Sequence, residues 1–202
     1  MPPEPQPQNP TNPRSPLHPV GDTEVTEGIN QGKRRNLQFG DYKWRVLDVH
    51  GDKALIITED VIEQRRYNEE CAEVTWETCT LRKYLNGEFY NKFDSGCKEK
   101  ILPVTVTNQD NPEYCTKGCR NTNDNIFLLS IDEVNKYFNR ASDRMLSYAG
   151  MACWWWLRLP GDFSDLAAYV SVGGRVGVSG YYVNYGSGGV RPALWLNLKP
   201  FN

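Results

Sequence analysis

The chain has 202 residues, 39% of them hydrophobic and 24% charged, with a formal net charge of −2. That balance is wrong for a protein that holds a phosphate backbone, which needs a basic face. No apolar run approaches the ~18 residues that insert across a bilayer, so neither nucleic acid nor direct membrane insertion is expected, and one domain is the default.

Residues 1 to about 36 carry Pro2, Pro3, Pro5, Pro7, Pro10, Pro13, Pro16 and Pro19 among polar neighbours, with no aromatic residue. Such a stretch cannot build a core and reads as a disordered tail or linker. It has no charged region followed by an apolar stretch, so it does not read as a signal peptide. The folded domain is expected over residues 37–202. Tyr42 to Val49 and Lys53 to Thr58 are β-rich runs separated by His50-Gly51-Asp52, which predicts a hairpin. Thr78 precedes LRKYLNGEFYNKF, where Leu81, Tyr84, Leu85 and Phe89 fall on one helical face. After a polar loop, Asn108 to Asn125, Ile126 to Leu129 reads as a short buried strand. Ser130 and Glu133 have capping-box spacing and open a second helix through Val134, Tyr137 and Phe138. Trp154 to Leu157 reads as a strand with too much aromatic surface to expose on both faces. Val190 to Leu198 is a closing strand. The fold class is α+β, with two helices, short antiparallel strands and long irregular loops.

Six cysteines, Cys71, Cys79, Cys97, Cys115, Cys119 and Cys153, permit up to three disulfides. Reduced structural thiols, a disulfide, or half of a zinc site at Cys115 and Cys119 are all compatible with their positions. Zinc would need two further ligands, and His18 and His50 are not spaced to supply them. No metal site or cofactor is therefore assigned.

From Gly161 to Leu194 the chain contains no Lys, Glu, Gln, Met or Trp, although thirty-eight of the other 168 residues are of these types. Chance gives such a gap roughly once in several thousand, before discounting for the choice of window. These five types are the ones that no pyrimidine-ending codon encodes. Gly, Tyr, Val, Ser and Asp fill the window, a composition suited to displayed binding loops. Short hydrophobic beats at Val170, Val176, Val183 and Val190 suit strands and tight turns rather than a helix.

The stretches WRVLDV, TWETCTLRKYLNGEFY, NIFLLSIDEVNKYF, WWWLRLPG and GGVRPALWLNL, in this order, resemble a bacterial family over about residues 37 to 198. It is a domain of unknown function with a C-type-lectin-like fold of the formylglycine-generating-enzyme type. Its members resemble target proteins of diversity-generating retroelements, which copy a template with errors at adenines. Asn codons AAC and AAT then vary in their first two positions and keep a pyrimidine third, which explains the missing types. The resemblance implies a ligand-binding display protein whose segment 161–189 is diversified on a rigid scaffold. It implies that Pro160, Gly161, Ala167, Ala168, Val170, Gly174, Val176, Gly180, Val183 and Gly189 to Leu194 stay fixed.

The implied ligand-binding residues are Asp162, Phe163, Ser164, Asp165, Tyr169, Ser171, Val172, Arg175, Val178, Ser179, Tyr181, Tyr182, Asn184, Tyr185 and Ser187. Leu166, Gly173, Gly177 and Gly186 vary with them, and Leu159 stands where a small polar residue is expected, making it a further candidate. The tyrosines serve as anchors because they offer large amphipathic area at low rotamer entropy. Arg175, Asp162 and Asp165 add charge at the rim. The Trp triplet and Trp195 form the base. The partner is a protein or glycan, met on a bacterial surface or phage particle. An alternative is a non-diversified lectin-like module for glycans or proteins, for which Gly/Tyr loops serve equally well. Catalysis is not expected. The related oxidase chemistry needs paired cysteines and only Cys153 lies in the C-terminal half, while His18 and His50 fit no Ser/His/Asp order.

Overall fold

The structure, a computed structural model, describes residues 36–199. The proline-rich stretch therefore lies outside the described residues, except for Asn36. Among the described residues, fourteen strands and three α-helices make an α+β fold around two five-stranded sheets. The first sheet has the order β1 (Asn36–Phe39), β2 (Tyr42–His50), β3 (Lys53–Thr58), β14 (Ala193–Asn197), β5 (Ile101–Leu102), antiparallel throughout. Gly51, at φ +57°, turns β2 into β3 as the hairpin reading requires. β3 is apolar without alternation, and Ala54 to Thr58 are all buried, which places it mid-sheet with both faces covered.

The second sheet has the order β12 (Val176–Tyr182), β11 (Leu166–Val170), β10 (Trp155–Pro160), β13 (Gly189–Val190), β4 (Glu63–Gln64). Its pairs are antiparallel except β10 with β13, which meet in parallel through Trp155 and Gly189. The expected closing strand is split: Arg191 and Pro192 carry the chain from β13 in one sheet to β14 in the other. Two short ribbons complete the strands, β6 (Val104–Val106) with β7 (Thr122–Asp124) and β8 (Leu146–Tyr148) with β9 (Met151–Cys153).

The first helical segment buries the four residues read as its apolar face, Leu81, Tyr84, Leu85 and Phe89. It begins as α1 (Thr80–Tyr84), widens into a π turn over Leu85–Phe89 and tightens over Tyr90–Lys92. Asn86, inside the π turn, accepts from the backbone N–H of Asn125 and Ile126 at 2.8 and 3.2 Å and donates to the Ile126 carbonyl at 2.8 Å. Those bonds dock the segment expected to be a strand. Ile126 to Leu129 are indeed buried, but they form no strand: Phe127 makes an isolated bridge with Ala193, and the Leu129 carbonyl accepts from the Arg158 N–H at 3.1 Å.

Two helices were expected and a third is present, α2 (Ser95–Lys100), capped by the Asp94 side chain on the Cys97 N–H at 2.7 Å. It buries no residue, so it leaves no 3.6-residue apolar period to read. The α3 helix (Ile131–Tyr137) has the full capping box between Ser130 and Glu133.

The core is rich in tryptophan: Trp44, Trp76, Trp155 and Trp156 are all at most 1% exposed. Each of their indole N–H groups has a partner, the Phe39, Arg144 and Arg65 carbonyls for Trp44, Trp155 and Trp156 and the Asp124 carboxylate for Trp76. Satisfied polar tips are what permit such rings to be buried.

Arg158, on β10, is also buried. It donates to the Leu128 and Thr107 carbonyls at 2.8 and 3.1 Å and pairs with the Glu133 carboxylate. Glu133 thus caps α3 and binds the strand beneath it. Because glutamine can also complete a capping box, Glu133→Gln removes mainly the charge. We expect a loss of about 1–2 kcal/mol in urea denaturation.

Candidate ligand-binding surface

The β11–β12 pair follows directly from the buried strand β10, so the segment after the Trp triplet lies at one edge of the second sheet. Leu166 and Ala167 pair with Tyr182 and Tyr181, while Tyr169 and Val170 pair with Gly177 and Val176, leaving extra residues bulged out of β12. Gly180, at φ +87°, accommodates that bulge. The bulged carbonyls find partners outside the sheet: Ser179 accepts from the Asp162 N–H at 2.8 Å and Val178 from the Asn111 side chain at 2.9 Å.

Asn111 is 2% exposed and clamps three parts of the chain. Its amide nitrogen also donates to the Pro160 and Gly161 carbonyls at 2.8 and 3.1 Å, and its oxygen accepts from the N–H of Glu113 and Tyr114. Further along, Thr116 donates to the Asp162 carbonyl, the Val74 N–H to Ser164, the Asn68 N–H to Val183, and the Gln64 amide to Ser187. Wherever these donors reach the segment it contributes a backbone carbonyl, which any side chain leaves in place.

The side chains divide along the same line. Of the residues read as ligand-binding, Phe163, Val172, Arg175, Ser179, Tyr181, Tyr182, Tyr185 and Ser187 are exposed. Asp162, Ser164, Asp165, Tyr169, Ser171, Val178 and Asn184 are half-buried, and none of the fifteen is buried. Of the residues read as fixed, all are buried except Val176 and Gly180, which are half-buried. Leu159 differs from its reading as a candidate: it is 1% exposed and packs in the core, so it is not available to a ligand.

The glycines provide a second, independent division. A methyl group on Gly161 would meet the Ser179 carbonyl oxygen at 2.3 Å, on Gly174 that of Ala141 at 2.0 Å, and on Gly189 that of Trp154 at 2.8 Å. On Gly180 it would meet the Gly161 Cα at 2.8 Å. All four belong to the fixed reading and all are blocked by backbone. By contrast, nothing lies within 4 Å of such a group on Gly173, and only Arg66 side-chain atoms approach it on Gly186, at 3.9 and 4.0 Å. Both of these belong to the variable reading. Gly188, between the two sets, is wedged against the Trp156 and Trp154 rings.

Four aromatic rings form a contiguous face on this surface. Trp154 lies 5.6 Å from Tyr169 and 5.2 Å from Tyr181, and Tyr181 lies 5.6 Å from Tyr169 and 4.7 Å from Tyr185. The hydrogen bond to Tyr185, together with the unfavourable placing of a phenolate beside those of Tyr185 and Tyr169, raises the Tyr181 phenol above its ordinary pKa. Sequence reading assigned the whole Trp triplet to the base. Trp155 and Trp156 are there, but Trp154 is half-buried and belongs to the surface. Strand alternation separates Trp154 from Trp155, but not which of the two faces outward.

Val172 reaches a second feature, an open depression of about 290 Å³ that it lines with Met145, Leu146 and Ala152 above the Arg45–Glu59 ion pair. All six cysteines carry free thiols. Burial pushes the Cys79 thiol up to about 12 and also raises that of Cys153, so neither is a ready nucleophile. Among the described residues no group of three or more His, Cys, Asp or Glu could hold a metal ion, and no helix is long and apolar enough to cross a membrane.

What the arrangement defines is an α+β domain with a clamped, solvent-facing β-hairpin. The chain belongs to the family described as Domain of unknown function (DUF6273), which matches residues 51–198. No curated protein and no solved structure matches it.

Proposed function

We propose that the protein is a ligand-display protein with a C-type-lectin-like fold of the formylglycine-generating-enzyme type, whose segment 161–189 is diversified by a retroelement. The observation that carries this reading is the agreement between the glycines and the codon signature. Within a window that lacks every residue type barred from pyrimidine-ending codons, the glycines read as variable at 173 and 186 have open space around them. Those read as fixed are blocked by backbone. A conventional binding loop has no need of that correspondence.

The physical logic is a division between backbone and side chains. Asn111, Thr116 and Gln64 grip carbonyls, so substitutions at exposed neighbours leave the grip intact and change stability little. Tyr181, Tyr182 and Tyr185 are 36%, 53% and 47% exposed and serve as anchors. The ligand is a protein or glycan that is bound rather than converted, on a bacterial surface or phage particle.

Two experiments test this. The first is to read the gene. Pyrimidine-ending codons at the fifteen positions, with an adenine-rich near-repeat and a reverse-transcriptase gene nearby, support the proposal. Purine-ending codons scattered among those positions remove it and leave a fixed lectin-like module. In the second, Tyr181→Ala with Tyr182→Ala is expected to shift melting by no more than about 2 °C while abolishing ligand binding. A large loss of stability would make these rings structural.

A further inference from the structure

We propose that Gly177 is a positioning residue for the aromatic face, so that position 177 accepts a side chain only when position 169 carries a small one. The inference deepens the display reading and rests on it for its biological meaning. Gly177 sits directly across β11–β12 from Tyr169. A Cβ there would lie 2.3 Å from Cε1, 2.6 Å from Cζ and 2.8 Å from Cδ1 of the Tyr169 ring. Gly177 thus differs from every other glycine of the segment. Gly173 and Gly186 are open, the fixed glycines are blocked by backbone and Gly188 by the Trp154 and Trp156 rings outside the segment, whereas Gly177 is blocked by another diversified side chain.

The ring that covers Gly177 also supports its neighbours. Tyr169 meets Trp154 at an interplanar angle of 78° and Tyr181 at 85°, and Tyr181 in turn meets Tyr185 at 78°. Edge-to-face pairs of this kind require the ring centres to stay within about 7 Å. A methyl group at 177 forces the ring into a different rotamer, because paired strands hold the two Cα atoms about 5 Å apart and cannot widen locally. Moving the ring off Gly177 takes it away from Trp154 and Tyr181. Without a large residue at 169, the three closest obstacles to a Cβ at 177 are gone. One diversified position therefore decides, from beneath the ring, whether its neighbours form one contiguous aromatic face.

A double-mutant cycle on the full chain tests the coupling with wild type, Gly177→Ala, Tyr169→Ala and both together. Thermal melting and near-ultraviolet circular dichroism, which reads the packing of the aromatic rings, are recorded for each. Gly177→Ala is expected to lower melting by about 5 °C and to remove part of the aromatic signal. Tyr169→Ala removes that same part of the signal. Adding Gly177→Ala to Tyr169→Ala then changes melting by no more than about 1 °C. Equal costs in both backgrounds, or an unchanged aromatic signal in the Gly177→Ala protein, overturn the proposal. The cycle needs no ligand and no codon information, so its failure leaves the display reading intact, and purine-ending codons overturn the display reading without altering the cycle.

Discussion

Gly173→Ala is expected to leave the melting temperature within about 1 °C of wild type, whereas Gly174→Ala lowers it by roughly 10 °C. The two residues are neighbours in one turn, closed by the Gly174 N–H on the Ser171 carbonyl at 2.9 Å and the Ser171 N–H on that of Arg175 at 2.8 Å. Gly173 has no positive φ and nothing within 4 Å of an added methyl group. Gly174 has φ +77°, and its added methyl would stand 2.0 Å from the Ala141 carbonyl oxygen and 2.7 Å from the carbonyl carbon. The left-handed conformation costs about 1–2 kcal/mol for a residue with a Cβ. Displacing the Ala141 backbone adds a further 1–3 kcal/mol, the usual penalty of overpacking. Differential scanning calorimetry of the two variants decides the matter. Equal melting temperatures would remove the physical basis for dividing the segment into fixed and variable positions.

Asn111→Ala is the second large effect, a loss of about 3 kcal/mol in denaturant unfolding, since one buried amide satisfies five backbone groups. Asn111→Asp adds a pH dependence that a mere loss of packing does not. It puts a carboxyl oxygen where the amide now donates to three carbonyls. The ionised form is repelled there and the protonated form still donates one hydrogen bond, so the folded-state pKa of that carboxyl rises above the unfolded ~3.9. A group with a raised folded pKa binds its proton more tightly in the native state. Relative to wild type, the variant is then least destabilised below about pH 4 and loses stability as pH rises through its folded pKa. Melting wild type and variant in parallel at acidic and mildly basic pH measures the difference. A gap independent of pH would mean that the aspartate does not occupy the clamp.

Much of the fold was legible because its signals are local. The Ser130–Glu133 capping box lies within one turn of helix, and the β2–β3 hairpin lies within seventeen consecutive residues turning on Gly51. Where local signals are weak, reading failed. The α2 helix has a cap at Asp94 but no buried face, and Ile126 to Leu129 has strand composition but meets β14 only through the isolated Phe127–Ala193 bridge. The candidacy of Leu159 rests on a departure from the family resemblance, which says nothing about burial, whereas its place on β10, between β11 and β13, does.

By itself, the sequence determined which kinds of residue occupy the segment after Trp156 and the rhythm of small and branched residues between them, since composition and strand periodicity are both local properties of the chain. Only the tertiary structure decided what holds that segment. Asn111 grips carbonyls 49, 50 and 67 residues away. Nor could the chain alone turn Trp154 outward beside Tyr181, or lay Tyr169 over Gly177. Those outcomes depend on strand register and on which face of a sheet meets the core, and both are settled when distant segments pack together.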